Sequence, residues 1–135
     1  MGGLDPQTRF AGARVARLAT MAPDGGPHLV PIVFTLADDV IYTAVDAKAK
    51  TTRRLRRLTN IEANPRVSVL VDRYDDDWSQ LWWVRADGTA TVHRDGAALH
   101  TGYAALRAKY PQYRSVALVG PVIAITVEHW TAWRA

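Results

Sequence analysis

The chain contains no cysteine. That excludes disulfides, thiolate metal sites and a cysteine nucleophile. It has no apolar run of membrane-spanning length and no signal-peptide core at its N-terminus, so a cytoplasmic protein is the expectation. The two common phosphate-loop signatures are absent: there is no G-x-x-x-x-G-K-[ST], and no G-x-G-x-x-G opening a helix. Ser79 and Ser115 lack G-x-S-x-G surroundings, which argues against serine hydrolysis. His28, His93, His100 and His129 neither pair at i, i+4 nor form HExxH. Tyr74-Asp-Asp-Asp-Trp78 gathers three carboxylates, but without EF-hand spacing or its closing glutamate. A solvated turn is the simpler reading there, and no metal is assigned. The chain advertises no acid, base or nucleophile set, so no catalytic side chain is assigned. Such a silence suits a protein whose cofactor carries the chemistry.

What is present fits one globular domain over residues 1–135, long enough to bury a core. Nearly half of the residues are hydrophobic and 22% are charged. The net charge is +4, from 17 basic and 13 acidic residues. Without the six basic residues between 48 and 57 the balance would be 11 against 13, so the excess is local. A protein that coats nucleic acid would carry a broader basic face, so no nucleic-acid partner is expected. The local excess lies in Asp46-Ala-Lys-Ala-Lys-Thr-Thr-Arg-Arg-Leu-Arg-Arg-Leu58. Leu55 and Leu58 recur at helical spacing, so one side of a helix can pack while the basic side faces out. Free amides at its start, a favourable dipole and several cations would suit a phosphate or carboxylate. A solvated basic face is the competing reading.

Along the chain, Asp5-Pro6 starts a short helix to about Ala13, anchored by Phe10. Val15–Ala22 and His28–Leu36 read as a hairpin around the turn Pro23-Asp-Gly-Gly-Pro27. Pro31 inside the second run marks an edge, a bulge or a ligand contact, because proline donates no ladder hydrogen bond. Val40–Val45 is a third strand, followed by the basic helix, which ends before Pro65. Arg66–Asp72 is a strand whose Leu70 suggests burial on both faces. Leu81–His93 is one long or bulged strand with Gly88 at a bend. Gly96–Tyr110 is a helix with Leu99, Tyr103, Leu106 and Tyr110 on one face, and Pro121–Trp130 is a last strand. Strands without regular helical crossovers speak for an antiparallel barrel with helices at its rim.

Leu18-Ala-Thr-Met-Ala-Pro-Asp-Gly-Gly-Pro-His-Leu-Val-Pro-Ile-Val-Phe34, Ala49-Lys-Thr51, Asn64-Pro-Arg-Val-Ser-Val-Leu-Val-Asp72 and Asp77-Trp-Ser79 resemble the pyridoxamine 5′-phosphate oxidase-like split-barrel superfamily. Within it, the chain most resembles the actinobacterial oxidoreductases that use the deazaflavin coenzyme F420. The resemblance implies a mainly β fold with flanking helices, a six-stranded antiparallel split β-barrel. It also implies a homodimer with cofactor sites at the subunit interface. By resemblance, Lys50 and Thr51 would hold the phosphate, with Lys48 just before them and the hydroxyl of Thr43 nearby. Pro31 and Val33 would line the ring, and Trp78 and Gln80 would reach it from the other subunit. Arg54 and its basic neighbours would suit the phosphate and polyglutamate tail of F420.

Val40-Ile-Tyr-Thr-Ala-Val45 replaces the R-x-V-L-L-K-type run of the flavin-using oxidases, which favours F420 over FMN. The implied activity is hydride transfer to a small electrophilic organic substrate. The alternatives are an FMN-binding oxidase or flavin reductase of the same fold, and a non-catalytic F420- or haem-binding module. The five tryptophans, Trp78, Trp82, Trp83, Trp130 and Trp133, serve the core, a subunit interface or a flat ligand. On an alternating strand Trp82 and Trp83 face opposite ways.

Overall fold

The computed structural model describes residues 5–45 and 52–135, and for 52–55 the backbone alone. Helix α1 spans Pro6–Gly12, and the Asp5 carboxylate caps it by accepting from Thr8 N at 2.9 Å. Phe10 is fully buried and meets Phe34 and Trp130 edge-on, each at 5.1 Å between centroids. Strands β1 (Ala16–Met21) and β2 (Pro27–Ile32) pair antiparallel. Gly25, at φ 87°, supplies the left-handed residue their turn needs. Strands β3 (Thr35–Ala37) and β4 (Val40–Ala44) form a second hairpin. Its two loop residues, Asp38 and Asp39, both have positive φ, as a tight hairpin turn requires.

Helix α2 covers Thr52–Ala63, and β5 covers Arg66–Arg73. Then come β6 (Trp82–His93), α3 (Gly96–Lys109) and β7 (Val122–Arg134). The strands build one antiparallel sheet in the order β2-β1-β5-β6-β7-β4-β3. The β6–β7 ladder slips in register between Asp87 and Gly88. A methyl group on Gly88 would overlap the Thr126 carbonyl, so the anticipated bend is a close backbone approach that only glycine allows.

Three expectations change. The run His28–Leu36 is not one strand: it breaks at Val33-Phe34 into β2 and β3, which gives seven strands rather than six. Leu70 is not buried on both faces; it is exposed, on the outward side that alternates with buried Val69 and Val71. The last strand runs past Trp130, so Trp133 belongs to β7, opposite Trp83.

The break shapes the molecule. β2 and β3 are the two margins of the sheet, yet only two residues join them. The three steps from Ile32 to Thr35 reach roughly 10 Å, so the margins must meet and the sheet must roll into a barrel. Leu18, Phe34, Ile41, Val69, Ile123 and Ile125 fill its interior. Leu99, Tyr103 and Leu106 of α3 pack with Tyr110 and Val122 in a second cluster.

Strand pairing stops at the seam, so the backbone polar groups of Phe34 need another partner. The Tyr110 hydroxyl provides it. It accepts from Phe34 N at 3.1 Å, and its one proton serves either Phe34 O at 2.9 Å or Arg14 O at 3.0 Å. Beside it, the Lys109 ammonium donates to Ala13 O at 2.6 Å and lies 3.8 Å from the Phe34 ring centroid.

Removing the Tyr110 hydroxyl strands these groups in a buried place, so Tyr110→Phe is expected to lower stability by about 1–3 kcal/mol. Urea denaturation measures it, and an unchanged midpoint would remove the hydroxyl from the seam. A second expectation concerns pH. Burial first, and then the charge of Arg14, lower the Lys109 amine from 10.5 to about 8. Between these values the unfolded chain holds a proton that the folded chain has released, so stability rises with pH across the window. Burial raises the Tyr110 phenol above 10.0, which opposes this trend only in the upper part of the range. Unfolding free energy should therefore climb from about pH 8 to about pH 10, and Lys109→Met should flatten the climb.

Candidate functional site

Strand β3 is too short to cover its neighbour. It pairs only with Val40–Tyr42, while β4 continues through Thr43 and Ala44 against Ile123 and Val122 of β7. On the side toward β2, this end of β4 has no strand beside it. The gap is a cavity of about 640 Å³. One wall is Val30–Val33 at the end of β2, and the opposite wall is Thr43–Val45. Tyr110 and the segment from Gln112 to Leu118 close a third side, and Arg14 and Arg57 complete the lining. The volume lies within the usual range for small-molecule sites.

Each part is fixed by local chemistry. The Thr43 hydroxyl is buried and donates to Val33 O at 2.8 Å, which ties the two walls together. Gly120 lies so close to the Val45 carbonyl that a methyl group there would overlap it. Tyr103 donates to Gly120 O, and Val45 N donates to Pro121 O at 2.9 Å, so the third side is pinned to the end of β4. Arg57 comes from the inner face of α2, one residue before buried Leu58 and four before buried Ile61. It is itself only 8% exposed. The walls are mostly aliphatic, and among the described residues that line them the ionisable ones are two tyrosines and two arginines. Such a lining favours a flat apolar group that carries negative charge.

Pro31, Val33 and Thr43 come together at one cavity. β2 is an edge strand, which is how Pro31 is accommodated. Lys48, Lys50 and Thr51 lie outside the described residues. The backbone of Arg54 is in α2, and its side chain lies outside them too. Trp78 and Gln80 stand exposed in a short 3-10 turn before β6 and line no part of this cavity.

The triple-aspartate loop is built as a turn. Asp75 accepts from Asp77 N at 2.8 Å, and Asp77 accepts from the Ser79 hydroxyl at 2.7 Å and Ser79 N at 3.1 Å. Those Ser79 bonds hold the Asp77 carboxyl below the usual carboxylate range.

Sequence reasoning missed Arg14, Arg57, Tyr110, Gln112 and Tyr113 as lining residues. Arg57 left a trace, since it shares the helix side of Ile61 at a four-residue step. Tyr110 was legible only as the end of the apolar face of α3. Nothing local marks Arg14, which reaches the cavity because α3 folds back beside the α1–β1 connection.

Comparisons with known proteins agree with this architecture. No curated protein matches the chain. A conserved hypothetical protein of Mycobacterium tuberculosis superposes with a TM-score of 0.75 at 22% identity, over 99% of this chain and 86% of that one. A FAD-binding protein of Mesorhizobium loti gives 0.71 at 23% identity, over 98% and 94%. A heme-binding protein of Mycobacterium smegmatis gives 0.72 at 18% identity, over 96% and 56%. These likenesses are of fold. The family model for pyridoxamine 5′-phosphate oxidase matches residues 7–134, nearly the whole barrel. The chain thus belongs to the pyridoxamine 5′-phosphate oxidase family, and its seven-stranded sheet is a split barrel of that kind.

Proposed function

We propose that the chain is an oxidoreductase that binds coenzyme F420 in this cavity and uses it to reduce a small electrophilic organic molecule. The observation that carries the reading is the lining itself: aliphatic walls at Pro31, Val33 and Val45, with a buried cation at Arg57. Lys48 and Lys50 fall between β4 and the helix that carries Arg57, and Arg53 and Arg54 lie in its first turn. Lys48, Lys50, Thr51 and Arg54 would grip the phosphate and tail together with Arg57. Thr43 and the β2 wall would face the ring.

Bound there, F420 supplies a hydride donor. The side chains bind, orient and exclude water. The Tyr110 proton is committed to a backbone carbonyl and the Thr43 proton to Val33 O, so neither is free to protonate a product. Solvent then delivers the proton.

A second copy of the chain fits this reading. Met21, Leu29 and Leu70 are exposed and share the outward face of β1, β2 and β5 with Pro31. A homodimer through that face would bury them, and Trp78 and Gln80 would serve the partner's cavity. A second reading, FMN or a related flavin in place of F420, draws on the Mesorhizobium loti protein described as FAD-binding. The same lining would hold either ring.

Titration with F420 and FMN side by side, followed by tryptophan fluorescence, separates the two readings. F420 is expected to bind the tighter of the two. Lys50→Ala and Arg57→Met should each weaken it at least about tenfold, or about 1.4 kcal/mol. Unchanged affinity in both variants would move the cofactor elsewhere. For the assembly, sedimentation is expected to find a dimer, and Leu29→Arg should shift it toward monomer while far-UV circular dichroism stays unchanged.

A further inference from the structure

Arg14 lines the cavity and Lys109 lies beside it, and among the described residues no acid answers either. Arg14 lies across Tyr110, its guanidinium carbon 4.8 Å from the ring centroid, and Nη1 donates to Lys109 O at 3.5 Å. That uses one of five donors. The Lys109 ammonium rests on the Phe34 and Tyr110 rings, 3.8 and 5.3 Å from their centroids. Among the described residues the ion pairs are Arg73–Asp75, Arg85–Asp87 and Arg94–Glu62, and neither Arg14 nor Lys109 takes part in one. The charge of Arg14 helps to depress the Lys109 amine, a sign that these two charges repel across the rim.

A guanidinium held over an aromatic ring with no ion-pair partner, beside an apolar cavity, has a chemical complement. A carboxylate matches the planar fork in shape and charge. The surfaces next to it are the rings of Tyr110 and Tyr113, which meet edge-on at 6.1 Å, and the aliphatic end of β2. These suit a flat organic body rather than a bare inorganic anion. Arg57 enters the same cavity from α2, a different element, so one cation can serve a cofactor while the other serves a substrate.

We propose that Arg14 is the specificity-determining anchor for a flat organic carboxylate, which lies in the cavity against Tyr110 and Tyr113. As a substrate site, this rests on the cofactor reading above. The anion neutralises the rim, and the guanidinium fixes which end of the molecule faces inward.

The test uses 2-naphthoate and its neutral counterpart 2-naphthamide, titrated by calorimetry at low salt into the full chain, free and with saturating F420. Wild type is expected to prefer naphthoate by about tenfold. Arg14→Met should lose about tenfold for naphthoate and leave naphthamide within about twofold. Arg14→Lys should recover part of the loss, since it keeps charge without the fork. Arg14→Met should also keep its F420 affinity, which separates the anchor from the cofactor grip. If wild type bound naphthoate but not F420, the cofactor reading would fail and the anchor would stand. Absence of naphthoate binding, equal affinities in wild type, or an undiminished preference in Arg14→Met would overturn the proposal.

Discussion

One phenolic oxygen holds the two margins of this sheet together. Where β2 gives way to β3, the ladder has no strand to offer the Phe34 amide and carbonyl, and both are buried. Tyr110 reaches in from the end of α3 and takes their place in the pairing. The same contact sets the position of α3, and through it the chain from Gln112 to Leu118 that walls the cavity. It also offers the ring on which Arg14 rests. Barrel closure and the geometry of the site thus depend on one side chain.

The parts of the fold legible in the sequence are those decided locally. Asp5 and Pro6 specify the start of α1, and the steps from Leu99 to Tyr110 specify the buried face of α3. Alternating valines mark β5, and Gly88 marks the bulge. The division of His28–Leu36 was not legible, because both halves keep strand composition throughout. What breaks the run is the choice of partner: the first half pairs with β1 and the second with β4, at opposite margins of the sheet. Leu70 misled for a related reason. An apolar residue on an outward face reads as doubly buried until the surroundings of that face are known.

The site divides the same way. Pro31, Val33 and Thr43 were reachable from family pattern, and they do converge on one cavity. The cations that line it were harder. Arg57 looked like one more charge in a basic run, yet helical phase turns it inward beside Leu58 and Ile61. Arg14 belongs to the site only because distant segments meet, so no window of sequence around it carries the signal.

The position of β7 bears on how the molecule is made. It lies between β6 and β4, so Val40 and Ile41, already paired with β3, find their second partners only at Thr126 and Ile125. Synthesis delivers the β3–β4 hairpin long before that strand exists. Until it arrives, β4 has an open margin, and the two portions of the sheet have nothing between them. Such long-range pairing makes loop closure, rather than local propensity, the slow step of assembly. A nascent chain on the ribosome can form hairpins but not a barrel, and it carries an apolar strand with one open edge that favours shielding until β7 is available.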